Sequence, residues 1–157
     1  MANTYSQIYI HIVFTVQGRQ NLIKKDYQEE LQKYITGIIR NNKQKLIAVK
    51  AMPDHVHTLI GVHPDIAISN LVRDIKNNSS SFINRKRWIR GKFKWQEGFG
   101  AFSYSQSQID RIVKYIQDQP IHHQKKTFRE EYTEMLKKFK IEYDPKYIFD
   151  IIEIESD

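Results

Sequence analysis

Two histidines separated by one residue, His55 and His57, form the pattern with the clearest chemical potential in this sequence. They follow Pro53 and Asp54, which favour a turn, and lie in a short run whose composition predicts a β-strand. Side chains alternate across a strand, so both imidazoles face one side while Val56 faces the other. Neutral imidazole binds several divalent metals, and two such ligands leave positions open for a third ligand, water and substrate. The alternative is a pair of surface histidines on a half-exposed strand.

Tyr115 and Gln119 form a second pattern, four residues apart on a predicted helix. The apolar stripe of that helix must face the core, which places the two polar side chains next to each other on a neighbouring face. An amide oxygen is an acceptable ligand for Mg²⁺ or Mn²⁺, and a phenolate near a metal can attack phosphorus. The alternative is an amphipathic tyrosine at the core edge beside a solvated glutamine.

The formal net charge of +7 is unevenly distributed along the chain. Residues 73–94 form a basic segment in which Asp74 is the only acidic residue. This segment and the residue after it also carry the aromatic side chains Phe82, Trp88, Phe93 and Trp95. Such a mixture can contact phosphates and stack on unpaired bases. A solvated helix face with core aromatics would have the same composition. The candidate DNA-binding residues of this segment are Arg73, Lys76, Arg85, Lys86, Arg87, Arg90 and Lys92.

Hydrophobic periodicity predicts the elements that must position these groups. In chain order they are a strand over 5–16, a helix over 26–42, strands Lys45–Ala51 and 55–62, a basic helix over 66–83, a strand over 98–104, a helix from Ser105 to near Pro120, and a short helix over 127–139. This order predicts an α+β, ferredoxin-like (split βαβ) antiparallel sheet. We expect helices on one face, an open second face, and the tyrosine helix directly after the last strand.

Length and composition narrow the functional classes. The 157 residues predict one domain over 1–157, with a core at about 5–139 and an acidic tail at about 142–157. The absence of cysteine excludes thiol catalysis and cysteine-based zinc sites. The most apolar run, residues 8–16, is too short to span a bilayer. We therefore expect no membrane anchor, no signal peptide and a cytoplasmic location.

Three segments taken together resemble the single-tyrosine HUH transposases of the insertion-sequence-200-like (TnpA-type) family. These enzymes move small insertion sequences as single-stranded DNA. The resemblance is carried by residues 52–57 (MPDHVH), 95–103 (WQEGFGAFS) and 115–119 (YIQDQ), in that order. Residues 120–132 are also similar to the downstream segment of this group.

The resemblance implies a role for four residues. His55 and His57 would bind Mg²⁺ or Mn²⁺, Gln119 would complete the protein ligands, and Tyr115 would attack DNA to leave a 5′-phosphotyrosine and a 3′-hydroxyl. It also implies a homodimer whose active sites are completed in trans, and single-stranded DNA with hairpin ends as the partner. The predicted function is a metal-dependent DNA transposase that cleaves and rejoins insertion-sequence ends.

Several alternatives stay open at this stage. Tyr104 is a rival nucleophile, although it lacks the glutamine four residues later that Tyr115 has. His11 is expected to be packed or hydrogen-bonded, and His122 and His123 are expected to be exposed. The chain could also be a domesticated relative or DNA-binding regulator with the same fold, a metallohydrolase that activates water at the two-histidine site, or a basic RNA-binding module.

Overall fold

The computed structural model describes residues 3–147, which fold around a four-stranded antiparallel sheet. The strands lie in the spatial order β2-β3-β1-β4. In chain order the elements are β1 (Tyr9–Thr15), α1 (Lys25–Asn41), β2 (Lys45–Ala51), β3 (His55–Gly61), α2 (Ile68–Lys86), β4 (Gly100–Tyr104), α3 (Ile109–Gln117), α4 (Gln119–His122) and α5 (Phe128–Lys138). The βαββαβ order and this strand arrangement are those of the ferredoxin-like fold, as predicted. Within 3–147, no helix has the length and apolar character needed to cross a membrane.

The two crossover helices, α1 and α2, pack on one face of the sheet, as expected. Phe14 of β1 and Val56 of β3 point into this layer and are fully buried. Three aromatic residues of the basic segment, Phe82, Phe93 and Trp95, belong to the same core. The proposal that these three rings stack on unpaired bases is therefore wrong, because the apolar layer needs them to fill its volume.

The second face of the sheet is covered, so the expectation of an open face is wrong. This face also carries apolar side chains, Val13 and Leu59 among them, and leaving them in water would be unfavourable. The α3 helix packs against Leu59, and α5 packs against Val13 and Phe102. Gly100 at the start of β4 permits the approach of α5, since a Cβ there would lie 2.7 Å from the Tyr132 hydroxyl oxygen.

The element boundaries depart from the sequence prediction mainly at turns. Ser105 forms a capping box with Gln108, but the first turn is a 3₁₀ helix, Gln106–Gln108, before α3 begins. Pro120 lies in the first turn of α4 rather than ending α3, which is a position proline tolerates well. Thr127 caps α5 by accepting a hydrogen bond from the Glu130 backbone N–H at 3.2 Å. Most of the predicted acidic tail, residues 148–157, lies outside the described residues.

Candidate active site

His55 and His57 lie on β3 and face α3 and α5, opposite the α1–α2 layer. Both side chains are fully buried, and their ring centroids are 5.0 Å apart. The strand register pairs His57 with Val13 and His55 with Thr15, so the pair lies near the centre of the sheet. The predicted shared face is confirmed, and the alternative of two surface histidines is wrong.

Gln119 reaches the histidine pair because the chain turns at Asp118 between α3 and α4. Its side chain is fully buried, with Oε1 at 3.3 Å from His55 Nε2. The amide nitrogen donates to Glu131 Oε2 at 3.4 Å, which orients the amide so that its oxygen faces His55. The alternative of a solvated glutamine is therefore wrong.

Glu131 on α5 is the member of the site that sequence reasoning missed. Its Oε1 lies 3.2 Å from His57 Nε2, and its Oε2 lies 3.2 Å from His123 Nε2. Potential ligand atoms of His55, His57 and Glu131 all fall within 4.8 Å of one another. A signal was present in the sequence: Glu131 lies three residues after Phe128 and four before Met135, so helical periodicity puts a carboxylate on the buried stripe.

The other ring nitrogens of the histidine pair also have partners, and the partner of His55 fixes its tautomer. His55 Nδ1 lies 2.6 Å from Asp54 Oδ1, and because a carboxylate only accepts, the N–H belongs on Nδ1. His57 Nδ1 lies 2.7 Å from His11 Nε2, an arrangement in which one ring donates to the other. The expectation that His11 is packed or hydrogen-bonded is confirmed. Partners of this kind orient the metal-binding nitrogen of a histidine.

One inner contact of the site joins two acceptors. When the single N–H of His55 is on Nδ1, its Nε2 is an acceptor that faces the Gln119 carbonyl oxygen at 3.3 Å, and neither atom has a proton to donate there. Within residues 3–147, His57 Nε2 and Glu131 Oε1 have no hydrogen-bond partner although both are buried. Buried acceptors without a proton between them are costly, and a cation among them removes that cost. Two nitrogens and two oxygens therefore fit a divalent metal ion.

The electrostatics of the site favour the ligand forms of these groups. Burial lowers the pKa of His57 to about 4, although the nearby Glu131 carboxylate opposes that shift. Burial also lowers the pKa of His11 well below its usual value. For Glu131, burial alone would raise the pKa, but the His123 and His57 rings outweigh it and hold the pKa below its ordinary range. At neutral pH, His57 is therefore neutral and Glu131 carries a buried negative charge.

Tyr115 lies beside the histidines on the last turns of α3. Its half-buried ring contacts the His57 ring edge-on, with centroids 6.0 Å apart, and its hydroxyl lies 4.0 Å from Met135 Sδ. Burial raises the pKa of the phenol above its usual value, and the negative charge of Glu131 raises it further. The ring centroid of the rival Tyr104 lies 6.2 Å from that of His11, and burial raises the pKa of the Tyr104 phenol to about 12.

The histidines after Pro120 are half-buried, so the expectation that they are exposed is wrong. The His122 ring lies against the Tyr115 ring with centroids 5.0 Å apart, while His123 contacts Glu131. The short α4 helix and the docking of α5 bring both rings to the site, which could not be deduced from a loop-like local sequence.

The predicted DNA-binding residues lie on α2 and the segment after it, in the layer across the sheet from the histidines. Most are exposed, but Lys76 donates to the backbone carbonyls of Gln96 and Gly98 at 2.8 and 2.5 Å, and Lys86 pairs with Glu30 at 3.2 Å. Burial lowers the pKa of Lys76 to about 8. The structure does not bring this basic group to the histidine pair, so its contact with DNA stays a prediction.

Comparison with known proteins gives a consistent result. The protein-family model described as "Transposase IS200 like" matches residues 4–119. A curated relative, the ISDra2 transposase TnpA of Deinococcus radiodurans, is 25% identical over 118 residues, which cover 72% of this chain and 84% of the relative.

Two solved structures share the fold. A crystal structure of a protein from Deinococcus radiodurans described as a transposase has a TM-score of 0.59 at 22% identity, covering 76% of this chain and 95% of the other. The structure of a REP-associated tyrosine transposase bound to a REP hairpin has a TM-score of 0.59 at 18% identity, covering 99% and 94%. The predicted resemblance is thereby confirmed: the chain belongs to the family of IS200-like transposases, the single-tyrosine enzymes that cleave and rejoin DNA.

Proposed function

We propose that this transposase cleaves and rejoins single-stranded DNA at insertion-sequence ends through a covalent 5′-phosphotyrosine on Tyr115. A divalent metal, Mg²⁺ or Mn²⁺, is held by His55 and His57, with Gln119 completing the protein ligands. Family membership supports the overall reaction. The burial and mutual distances of the four side chains support their roles.

The observation that carries this proposal is the convergence of buried potential ligand atoms, with the acceptors His55 Nε2 and Gln119 Oε1 facing each other without a proton between them. The His55 Nε2 and Gln119 Oε1 atoms are 3.3 Å apart, and the His57 and Glu131 atoms are 3.2 Å apart. A structural polar cluster would alternate donors with acceptors. A cation site needs only acceptors, which favours the metal centre.

The chemistry follows from the position of Tyr115 beside that centre. The metal, when bound, polarises the scissile phosphate and neutralises the charge that develops on it. The Tyr115 hydroxyl oxygen attacks phosphorus, the bond from phosphorus to the 3′ oxygen breaks, and the phenol proton ends on that oxygen. In the second step a 3′-hydroxyl attacks the phosphotyrosine, and the tyrosine leaves as a phenol. Burial raises the pKa of Tyr115 above its usual value, which favours loss of the phenol proton during attack.

The test is a denaturing gel of the protein incubated with Mg²⁺ or Mn²⁺ and labelled single-stranded oligonucleotides from the sequences flanking its gene. We expect a slow-migrating protein–DNA adduct that requires metal. Tyr115→Phe removes the nucleophilic oxygen and keeps the ring, so product should fall at least about 10³-fold. Tyr104→Phe makes the same chemical change at the rival tyrosine and should still form the adduct.

Other outcomes of this gel would support the alternatives. Cleavage that survives in Tyr115→Phe without an adduct indicates a metallohydrolase that uses water. Binding without cleavage on every flanking oligonucleotide indicates a regulator with the same fold. Binding that is unaffected by metal removal and by His57→Ala, with RNA preferred over DNA, indicates an RNA-binding module.

We also propose a homodimer that uses hairpin-ended single-stranded DNA, as the resemblance implies. Within the described chain, Gln119 reaches His55 of the same chain, so completion in trans requires α3 to leave its contacts with Leu59. Mixing His57→Ala with Tyr115→Phe tests this exchange. Neither variant should react alone, and the mixture should recover up to about a quarter to a half of the activity only if one subunit supplies tyrosine to the other. No recovery would indicate completion within one chain.

A further inference from the structure

A cavity of about 290 Å³ lies beside Tyr115, on the side away from Asp54 and the β2–β3 turn. Its walls come from α3, from the segment after α4, and from α5. The apolar lining includes Ile112, Met135 and Phe139, and the Tyr115 ring forms part of the wall. None of the proposed metal ligands His55, His57 and Gln119 lines this space, although Glu131 beside them does.

The mouth of the cavity is basic. Lys125, Lys126 and Lys138 line it, against the carboxylates of Glu131 and Glu134. Lys126 is neutralised by Glu134 at 2.6 Å. Among the residues that the structure describes, Lys125 and Lys138 make no ion pair, so their charges remain available to a ligand. An apolar lining that includes aromatic rings, together with unpaired cations among the lining residues, fits an aromatic group that carries an anion.

The proposed reaction places such a group at this position. Attack by Tyr115 requires a DNA phosphate in contact with its hydroxyl oxygen, and the nucleosides attached to that phosphate must lie within one backbone repeat. Because the Tyr115 ring is a wall of the cavity, the space is within that reach. Resting on the proposed function, we propose that the cavity seats one nucleotide next to the attacked phosphate, with its base against Phe139 and Met135 and a phosphate near Lys138.

The residues proposed to contact the nucleotide follow the segment that the family model matches. The family match ends at residue 119, whereas Lys125, Met135, Lys138 and Phe139 follow it. The proposed nucleophile Tyr115 lies within the matched segment, and the side chains proposed to fit the nucleotide lie after it. The cavity would contribute to the choice of cleavage site.

The first test is a binding measurement that needs no catalysis. The chain has three methionines, Met1, Met52 and Met135, so [¹³C]methyl labelling gives a spectrum with few signals. We would titrate Tyr115→Phe, which cannot form an adduct, with a single-stranded oligodeoxyadenylate of eight residues. A base in the cavity should shift the Met135 methyl signal through its ring current and leave Met52 unchanged. An unmoved Met135 signal, or no binding at millimolar oligonucleotide, would overturn the proposal.

The second test compares two exposed lysines that are adjacent on α5. Lys138 lines the cavity, whereas Lys137 does not. Lys138→Ala should weaken oligonucleotide binding and lower the slope of log K against log salt by about 0.7, and Lys137→Ala should leave both near the wild-type value. Phe139→Ala should weaken binding about 5- to 100-fold by removing one stacking surface. Equal behaviour of the two lysine variants would contradict the proposal even if Phe139→Ala fails to fold.

The cavity and the proposed reaction can fail separately. An adduct on Tyr115 together with an unmoved Met135 signal removes the cavity and leaves the reaction. A shifted Met135 signal and a Lys138-specific effect without any adduct support the cavity and remove the reaction.

Discussion

The two faces of the sheet bury different kinds of side chain. The face under α1 and α2 is filled mainly by apolar groups, such as Phe14 and Ile60. The face under α3 and α5 also buries His11, His57 and Glu131. Polar burial of that kind costs free energy unless every group is satisfied, and several atoms here are not. The apolar face therefore contributes folding free energy that offsets the cost of the polar groups buried on the other face.

The largest expected effect is on the polar face. His57→Ala removes one proposed metal ligand, so adduct formation should fall at least about 10³-fold. The free energy of unfolding should fall by about 1–3 kcal/mol, because the buried His11 Nε2 loses its partner. Gel assays and urea denaturation measure the two quantities. His63→Ala is the matched control, since His63 pairs with Asp65 at the surface and lies outside the site. If His57→Ala lowers the free energy of unfolding by more than about 3 kcal/mol, the two faces do not differ in their contribution to stability.

The corresponding change on the apolar face is Phe14→Ala. Phe14 is fully buried and packs edge-on against Trp95, with ring centroids 4.8 Å apart. The free energy of unfolding should fall by about 3–5 kcal/mol because a large cavity remains. Isothermal titration with Mn²⁺ under conditions where the variant stays folded should give wild-type affinity. If metal affinity falls together with stability, the two faces are not independent.

The free energy of unfolding of the metal-free protein should depend on pH through the face that buries His57. Burial lowers the pKa of His57 in the folded chain to about 4, against an ordinary value of 6.5, so between these pH values the unfolded chain binds a proton that the folded chain does not. Stability should therefore fall as the pH decreases through this window, by up to about 1.4 kcal/mol per pH unit for one such group. Urea titrations at several pH values measure the slope. Phe14→Ala should keep the slope, and His57→Ala should reduce it.

The smallest expected effect is at the basic surface beyond α2. Arg90 and Lys92 are exposed, so replacing either by alanine should change stability by no more than about 0.5 kcal/mol. If they contact DNA, each replacement should lower the salt slope of single-stranded DNA binding by about 0.7. Fluorescence anisotropy across a salt series measures this slope. Lys33→Ala on α1 is the comparison variant, and equal slopes for all three would argue against a DNA contact in this segment.

The sequence predicted the features that depend on the periodicity of a single strand or helix. Strand alternation placed His55 and His57 on one face. Helical periodicity predicted Tyr115 and Gln119 on a single helix, which is wrong because the chain turns at Asp118 and divides them between α3 and α4. The strand–helix order was sufficient for the ferredoxin-like topology. That order did not reveal that α3 and α5 cover the second face, because no local pattern indicates which of the later helices packs on the apolar residues Val13 and Leu59.

The sequence alone thus determined which residue types could do chemistry and which of them share an element. Only the tertiary structure joined His11 to His57, which are 46 residues apart, and Gln119 to Glu131 on separate helices, 12 residues apart. Periodicity acts within one helix or strand, whereas distances between elements depend on how side chains of different elements pack. The buried carboxylate, the facing acceptors and the cavity beside Tyr115 all arise from the docking of α5 on the sheet, which no single segment encodes.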